Sequence, residues 1–272
     1  MVDIVLSAEA IAGSALGMKV LSPSADLIGE ALKSNLDRVV RKAGKRLGSE
    51  GLKRPGAVPL RVLKAVRDEG MVCETELGAE YLGGVLASSR TEIHRDDRAA
   101  SLIALIGRLS TYQLRTHYII YALAQRALAG ETVNLGDSDA RERAGAFFLP
   151  HDDWVAAMAL SADEDRDWEA IAQHIINGLL REGLIEQRFA YGDPERLRAF
   201  VPMKAFSVEG FIFTITPLGI ELFTAAHGLT EPATTVFVAD SDKFDIDEPI
   251  DLGSGFAKVF EPPDASQEVS AK

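Results

Sequence analysis

The sequence predicts a mainly α protein: an N-terminal helical bundle (residues 1–130), a small α+β winged-helix domain (131–228) and an acidic, partly disordered C-terminal tail (229–272). Three observations carry this. Apolar residues recur every three or four positions through much of the first 130 residues, the mark of helices with one buried stripe. From Trp168 to His227 the order becomes helix, glycine stop, strand, loop, strand, helix, through Leu179-Leu180-Arg181-Glu182-Gly183-Leu184-Ile185 and Phe211-Ile212-Phe213-Thr214-Ile215-Thr216-Pro217-Leu218-Gly219. Beyond Gly228 the chain turns to Thr, Asp, Ser and Pro, a composition that supplies little apolar surface for a core.

The elements follow in order. Ser22-Pro23-Ser24 starts a helix over 26–47, with Leu27, Ile28, Ala31, Leu32, Leu36, Val39, Val40, Ala43 and Leu47 on one stripe, and Gly48 stops it. A loop over 51–58 contains Pro55-Gly56, and Pro59 opens a short helix over 60–68. Helices are expected over 76–88, 96–109 and 111–128. Ser110-Thr111-Tyr112-Gln113 fits a capping box and so predicts a sharp elbow between the last two. Connections this short favour neighbouring helices packed as a bundle. Weaker helices are expected near 140–148 and 152–160. Asp163, Glu164, Asp165 and Asp167 precede a helix over 168–181, where acids suit the positive end of the helix dipole. A long wing loop is expected from Tyr191 to Gly210. Phe237 and the alternation Phe244-Asp245-Ile246-Asp247 leave room for an added strand or a docking segment, and the end from Glu261 reads as disordered.

The totals bound the function. With 272 residues, 47% of them apolar, two compact units are expected, and both have enough apolar residues for real cores. One cysteine, Cys73, excludes an internal disulfide and a cysteine-based zinc site. No basic start precedes an apolar leader, and no apolar run reaches the roughly 18 residues of a spanning helix, so a cytoplasmic protein without an integral membrane segment is expected. Ile11 to Leu21 is apolar and small enough to lie on a membrane surface or to pack into the core. The net charge of −12 is unevenly spread: residues 1–70 carry 12 basic and 8 acidic side chains, 131–190 carry 5 and 13, and 191–272 carry 6 and 14. A basic stripe from Arg38 to Arg67 stands out, with Arg38, Arg41, Lys42, Lys45, Arg46, Lys53 and Arg54 as candidates to hold an anionic partner, nucleic acid or an anionic surface. The same stripe also reads as a solvated face, or as one that pairs with the acidic C-terminal half of its own chain or of a second subunit.

The run Val58-Pro59-Leu60-Arg61-Val62-Leu63-Lys64-Ala65, then Glu76-Leu77-Gly78-Ala79-Glu80-Tyr81-Leu82-Gly83-Gly84-Val85-Leu86-Ala87-Ser88-Ser89, then Leu109-Ser110-Thr111-Tyr112-Gln113-Leu114, resembles the bacterial abortive-infection alpha family. The later Gly183-Leu184-Ile185 and Thr216-Pro217-Leu218-Gly219 are similar too. Thr111 stands where that family commonly has proline, and the Gly83-Gly84 pair is unusual for it. The resemblance implies a bacterial intracellular protein connected with phage exclusion, and it carries over no catalytic residues.

Candidate chemistry is thin. His94-Arg95-Asp96-Asp97 and His151-Asp152-Asp153 look like metal or acid–base groups, but each places Asp at the cap or in the first turn of a following helix. Glu92 and His94 are the first pair to examine for a metal; no metal and no cofactor are expected. His117 and His174 lie among apolar neighbours and read as partly buried core residues, and His227 sits near a helix end. Glu80, His94 and His117 are the residues an enzyme would have to assemble. No phosphate-binding glycine loop, nucleophile elbow or His-Glu-x-x-His occurs. Asp240, Asp242, Asp245 and Asp247 lack the glycine and glutamate of a calcium loop and read as a solvated tail. If the helix over 168–181 is a recognition helix, its outer face is Gln173, His174, Asn177 and Arg181. The sequence thus favours a non-enzymatic protein acting through protein partners or self-association. The alternative is a winged-helix regulator that holds nucleic acid through the basic stripe.

Overall fold

A computed structural model describes residues 23–53, 55–93, 95–202, 204–239 and 242–260, with side chains described outside 23–28, 50, 52 and 242. Among the described residues the chain is mainly helical, with one small antiparallel sheet of four strands. It forms two compact units whose boundaries do not follow the sequence divisions at 130 and 228. The first comprises residues up to 114 with 222–233 and 242–249; the second comprises 115–221 with 234–241 and 250 onward.

In the first unit, α1 (Pro23–Lys53) outruns its predicted stop. Gly48 does interrupt it, at φ 58° and ψ −177°, but the chain resumes helix on the far side and uses part of the expected loop. Leu36, Val39 and Ala43 are fully buried, whereas Ala31 is exposed, so the stripe is used in its second half. Leu27 and Ile28 lie outside the described side chains. Helix α2 (Leu60–Met71) begins after Pro59 and buries Val62 and Val66. Helix α3 (Glu76–Ser88) is capped by Thr75, whose hydroxyl accepts from the Gly78 amide, and is buried all along Leu77–Ala87. It is therefore the core helix of the unit, not an amphipathic helix with one outer face. It packs against α1 and against α4 (Ala99–Arg108), which also contacts α2. Gly83 and Gly84 permit this: a β-carbon on Gly83 would meet the Val39 oxygen at 2.9 Å, and one on Gly84 would meet the Ala226 oxygen at 1.7 Å.

Helix α5 (Thr111–Leu128) starts with the expected capping box. The Gln113 amide donates to Ser110 Oγ at 3.3 Å, and the Ser110 amide donates to Gln113 Oε1 at 3.0 Å. The unit boundary falls within this helix. In the second unit, α6 (Ser138–Ala144) ends early, and Ala146–Pro150 is strand β1 where helix was expected. A short apolar run such as Phe147-Phe148-Leu149 suits a fully buried strand as well as a helix, and pairing with β3 (Gly210–Thr214) decides it in favour of strand. Helices α7 (His151–Met158), α8 (Ala162–Arg166) and α9 (Trp168–Arg181) follow, then β2 (Ala190–Gly192).

The stretch expected as a wing loop contains a helix, α10 (Pro194–Phe200), because Asp193 accepts from the Arg196 amide and Pro194 fixes the first turn. All strand pairs are antiparallel, in the order β2-β3-β1-β4, where β4 is Ala257–Lys258. Helix α11 (Pro217–Ala226) leaves β3 and crosses back into the first unit.

The acidic tail expected over 229–272 is corrected as far as 260. Helix α12 (Ala233–Phe237), a 3-10 turn (Asp242–Phe244) and β4 lie within it, and Val236, Phe237, Phe244, Leu252 and Val259 are buried. Spaced aromatic and branched residues supply enough anchors despite the acidic average. The residues from Glu261 lie outside the described ones. No helix among the described residues is long and apolar enough to cross a membrane. Ile11 to Leu21 also lies outside them.

Candidate functional site

The basic stripe divides into a part paired across buried acids and a more exposed part. On α1, Arg38, Lys42 and Arg46 are spaced four apart and share a face. Lys42 Nζ meets Glu80 Oε1 at 2.7 Å, Asp247 Oδ2 at 2.9 Å and Glu76 Oε2 at 3.1 Å. Arg46 Nη2 reaches Glu80 Oε2 at 3.2 Å and donates to the Asp245 carbonyl at 2.6 Å. Lys45 also pairs with Asp247, and Arg38 pairs with Glu76 at 3.5 Å while donating to the Glu74 carbonyl at 2.8 Å. The Asp247 amide closes the set by donating to Glu80 Oε1 at 3.2 Å. Glu80 is 2% exposed and Lys42 is 6% exposed, so charges of both signs are buried together and each finds its counterpart.

Protonation follows from this geometry. Burial alone favours a neutral lysine, but Glu80, Asp247 and Glu76 outweigh it and hold the Lys42 ammonium charged well above the usual lysine range. Lys45 and Lys42 hold the Asp247 carboxyl far below the usual carboxylate range. The expectation of a solvated tail is corrected in part: the Asp247 side chain is 43% exposed, but the segment 242–249 is folded onto the stripe. Beside it, Phe244 stacks on Phe223 at 5.4 Å and meets His227 edge-on at 5.3 Å. His227 is buried and pairs through Nδ1 with the Phe223 carbonyl at 2.7 Å, and burial pushes its imidazole down to about 3. The ring is neutral.

Arg41 and Lys53 are exposed, and Arg54 lies outside the described residues. Further along, Arg61, Lys64, Asp97, Arg98 and Ser101 line an open groove of about 430 Å³ between α2 and α4. Its cations pair with Asp97, Asp68 and Asp96 at 3.0, 2.6 and 2.7 Å. Asp96 and Asp97 are thus ion-pair partners and not helix caps, since α4 has no side-chain cap.

On α9, the four residues expected as an outer face, Gln173, His174, Asn177 and Arg181, are all exposed, while Ala172, Ile175, Gly178 and Leu179 are buried. His174 is therefore not a core residue. Arg181 pairs with Glu182 at 3.0 Å, and Glu169 is exposed on the same helix.

The residues proposed for catalysis have other occupations. Glu80 belongs to the buried ion set, and His117 is buried in α5, stacked on Tyr121 at 4.4 Å. His94 lies outside the described residues. Cys73 donates to the Thr75 carbonyl at 3.7 Å, and burial raises its thiol. No group of three or more His, Cys, Asp or Glu among the described residues is placed to hold a metal. His151 joins Trp168 at 4.4 Å and Tyr191 at 6.0 Å in a half-buried aromatic group over Phe211. That group comes from three separate elements, so no spacing announced it.

Compared with known proteins, the chain matches no family model, no curated protein and no solved structure.

The ion set was legible only as one of three readings of the stripe. Its partners, the Asp247 carboxylate and the Asp245 carbonyl, stand about 200 positions downstream, and charge balance alone does not pair particular residues at that distance.

Proposed function

We propose that this protein acts through protein contacts, without catalysis, in the phage-exclusion setting that its resemblance to the abortive-infection alpha family implies. The observation that carries the reading is the engagement of Lys42, Lys45 and Arg46 by Glu80, Asp247 and Asp245 of their own unit, which leaves the strongest run of the stripe little charge to offer a phosphate backbone. The second unit is read as a winged-helix type. Its order of strand, two or more helices and two further strands, with β3 between β1 and β2, supports this, and α9 then stands where a recognition helix would. The face of α9 offers two amides, one imidazole and Arg181, the last paired with Glu182, with Glu169 exposed on the same helix, which suits a polar protein surface better than DNA.

The test is phage plating across a broad panel on strains with and without the gene, together with a strain carrying Gln173→Ala, Asn177→Ala and Arg181→Ala. Protection by the wild type, lost in the folded triple variant, is the expected outcome; equal plating on all three strains overturns the reading.

A second reading, nucleic-acid binding, is favoured by one observation: Arg61, Lys64 and Arg98 have side chains 76, 70 and 82% exposed. Their pairs with Asp are surface ion pairs, which yield readily to a competing anion.

A further inference from the structure

The segment 242–249 has the character of a bound peptide more than of a core element. Beyond the 3-10 turn Asp242–Phe244 it has no regular structure, and from 243 to 249 only Phe244 is buried. Among the contacts that hold it to its unit are one aromatic anchor, the Asp247 carboxylate on Lys42 and Lys45, a Lys243–Glu231 ion pair at 3.9 Å, and backbone hydrogen bonds to the side chains of Arg46 and Glu80. The receiving surface has a matching pattern. Phe223 and His227 of the α11 end form an aromatic seat, and residues 38–46 of α1 carry five cations (Arg38, Arg41, Lys42, Lys45 and Arg46) and no acid, against Glu76 and Glu80 of α3. Without the segment that surface keeps a surplus of three positive charges, among them the buried Lys42 and the half-buried Arg38 and Arg46, which salt screens less than the exposed Arg41 and Lys45. Asp245, Asp247 and Glu248 of the segment balance it.

We propose that this surface is a peptide-binding groove for an acidic linear motif with an aromatic anchor, of the form Phe-Asp-x-Asp, and that residues 242–249 are a releasable clasp occupying it in cis. A partner peptide of the same chemistry takes the groove when the clasp lifts. A short segment tied by a few side-chain contacts opens at far lower cost than the unit unfolds, so exchange between the two occupants is available in the folded protein. The proposal names the partner class for the contact reading above and rests on it only for biological setting. The plating assay and the binding assay below fail independently.

The direct test titrates a fluorescent peptide, Lys-Phe-Asp-Ile-Asp-Glu-Pro, into wild type and into a variant carrying Phe244→Ser and Asp247→Ser. The variant is expected to bind at least about tenfold more tightly than the wild type, with affinity falling as salt rises. No binding by a variant that melts cooperatively overturns the proposal. So does equal binding of a peptide with Ser in place of Phe, which reduces the groove to a general cation patch of the kind nucleic acid would use. Amide hydrogen exchange on the wild type gives a second arm that needs no variant. The Asp247 amide, bonded to Glu80, is expected to exchange through local opening, well before Leu82 and Ile103. Protection of Asp247 equal to theirs makes the segment inseparable from the core and overturns the clasp.

Discussion

Gly84 and Ala226 bring two helices together backbone to backbone: a β-carbon on Gly84 would stand 1.7 Å from the Ala226 carbonyl oxygen and 2.2 Å from its carbon. A carbonyl cannot turn aside as the end of a side chain can. The Gly83-Gly84 pair is thereby explained, because α3 is wedged between α1 on its Gly83 side and the end of α11 on its Gly84 side. Gly84→Ala is expected to destabilise the first unit by about 3 kcal/mol or more through overpacking, although alanine is the better helix former. Urea denaturation reads this directly, and a loss below about 1 kcal/mol contradicts the close approach.

Tyr121 ties Gly183-Leu184 to Thr216 within the second unit. Its hydroxyl donates to the Leu184 carbonyl at 2.6 Å and accepts from the Thr216 amide at 3.0 Å, while Thr216 Oγ1 donates to the Gly183 carbonyl at 2.7 Å. The ring is fully buried, and burial raises its hydroxyl well above the ordinary tyrosine range. Tyr121→Phe keeps the packing and orphans both backbone groups, so a loss of about 2 kcal/mol is expected, with the fold retained by circular dichroism.

The buried ion set predicts a particular pattern of losses. Glu80→Leu leaves the buried Lys42 ammonium and the Arg46 guanidinium short of a counter-charge and is expected to cost about 3 kcal/mol or more. Lys42→Met strands Glu80 in the same way. The double variant is expected to be less damaged than the sum of the two, since the pair leaves together. Additive losses in a double-mutant cycle would mean that the two residues are not coupled.

His227 gives the first unit a pH dependence of known sign. Burial, with Arg46 adding its positive charge, pushes its imidazole from the ordinary 6.5 down to about 3. Its contribution is therefore present above 6.5 and is lost as pH falls from there toward 3, on the order of 2 kcal/mol by pH 5. The Asp247 carboxyl, held below the carboxylate range, adds a further loss only below about pH 4. Denaturation at pH 7 and pH 5 should show a larger decrease for wild type than for His227→Gln; equal decreases would remove His227 as the cause.

The sequence was most readable where local signals were strong. Helices 76–88, 111–128 and 168–181 end where their caps and glycines put them, and the Ser110 capping box is formed as written. It was least readable where distant partners decide. Phe147-Phe148-Leu149 became strand only because Ile212 and Phe213 lie alongside. Asp193-Pro194 hid a helix inside an expected loop. Asp247, surrounded by acids in sequence, is drawn into the fold by Lys42 and Lys45 from the far end of the chain.

The account turns on where the cations of α1 are spent. Fluorescence anisotropy of a short random-sequence DNA duplex, measured with the full-length protein at low and near-physiological salt, tests this most directly. With Lys42, Lys45 and Arg46 held by the chain's own acids, no saturable binding is expected at physiological salt. Micromolar or tighter binding there, abolished by Arg41→Glu with Lys45→Glu, would contradict it.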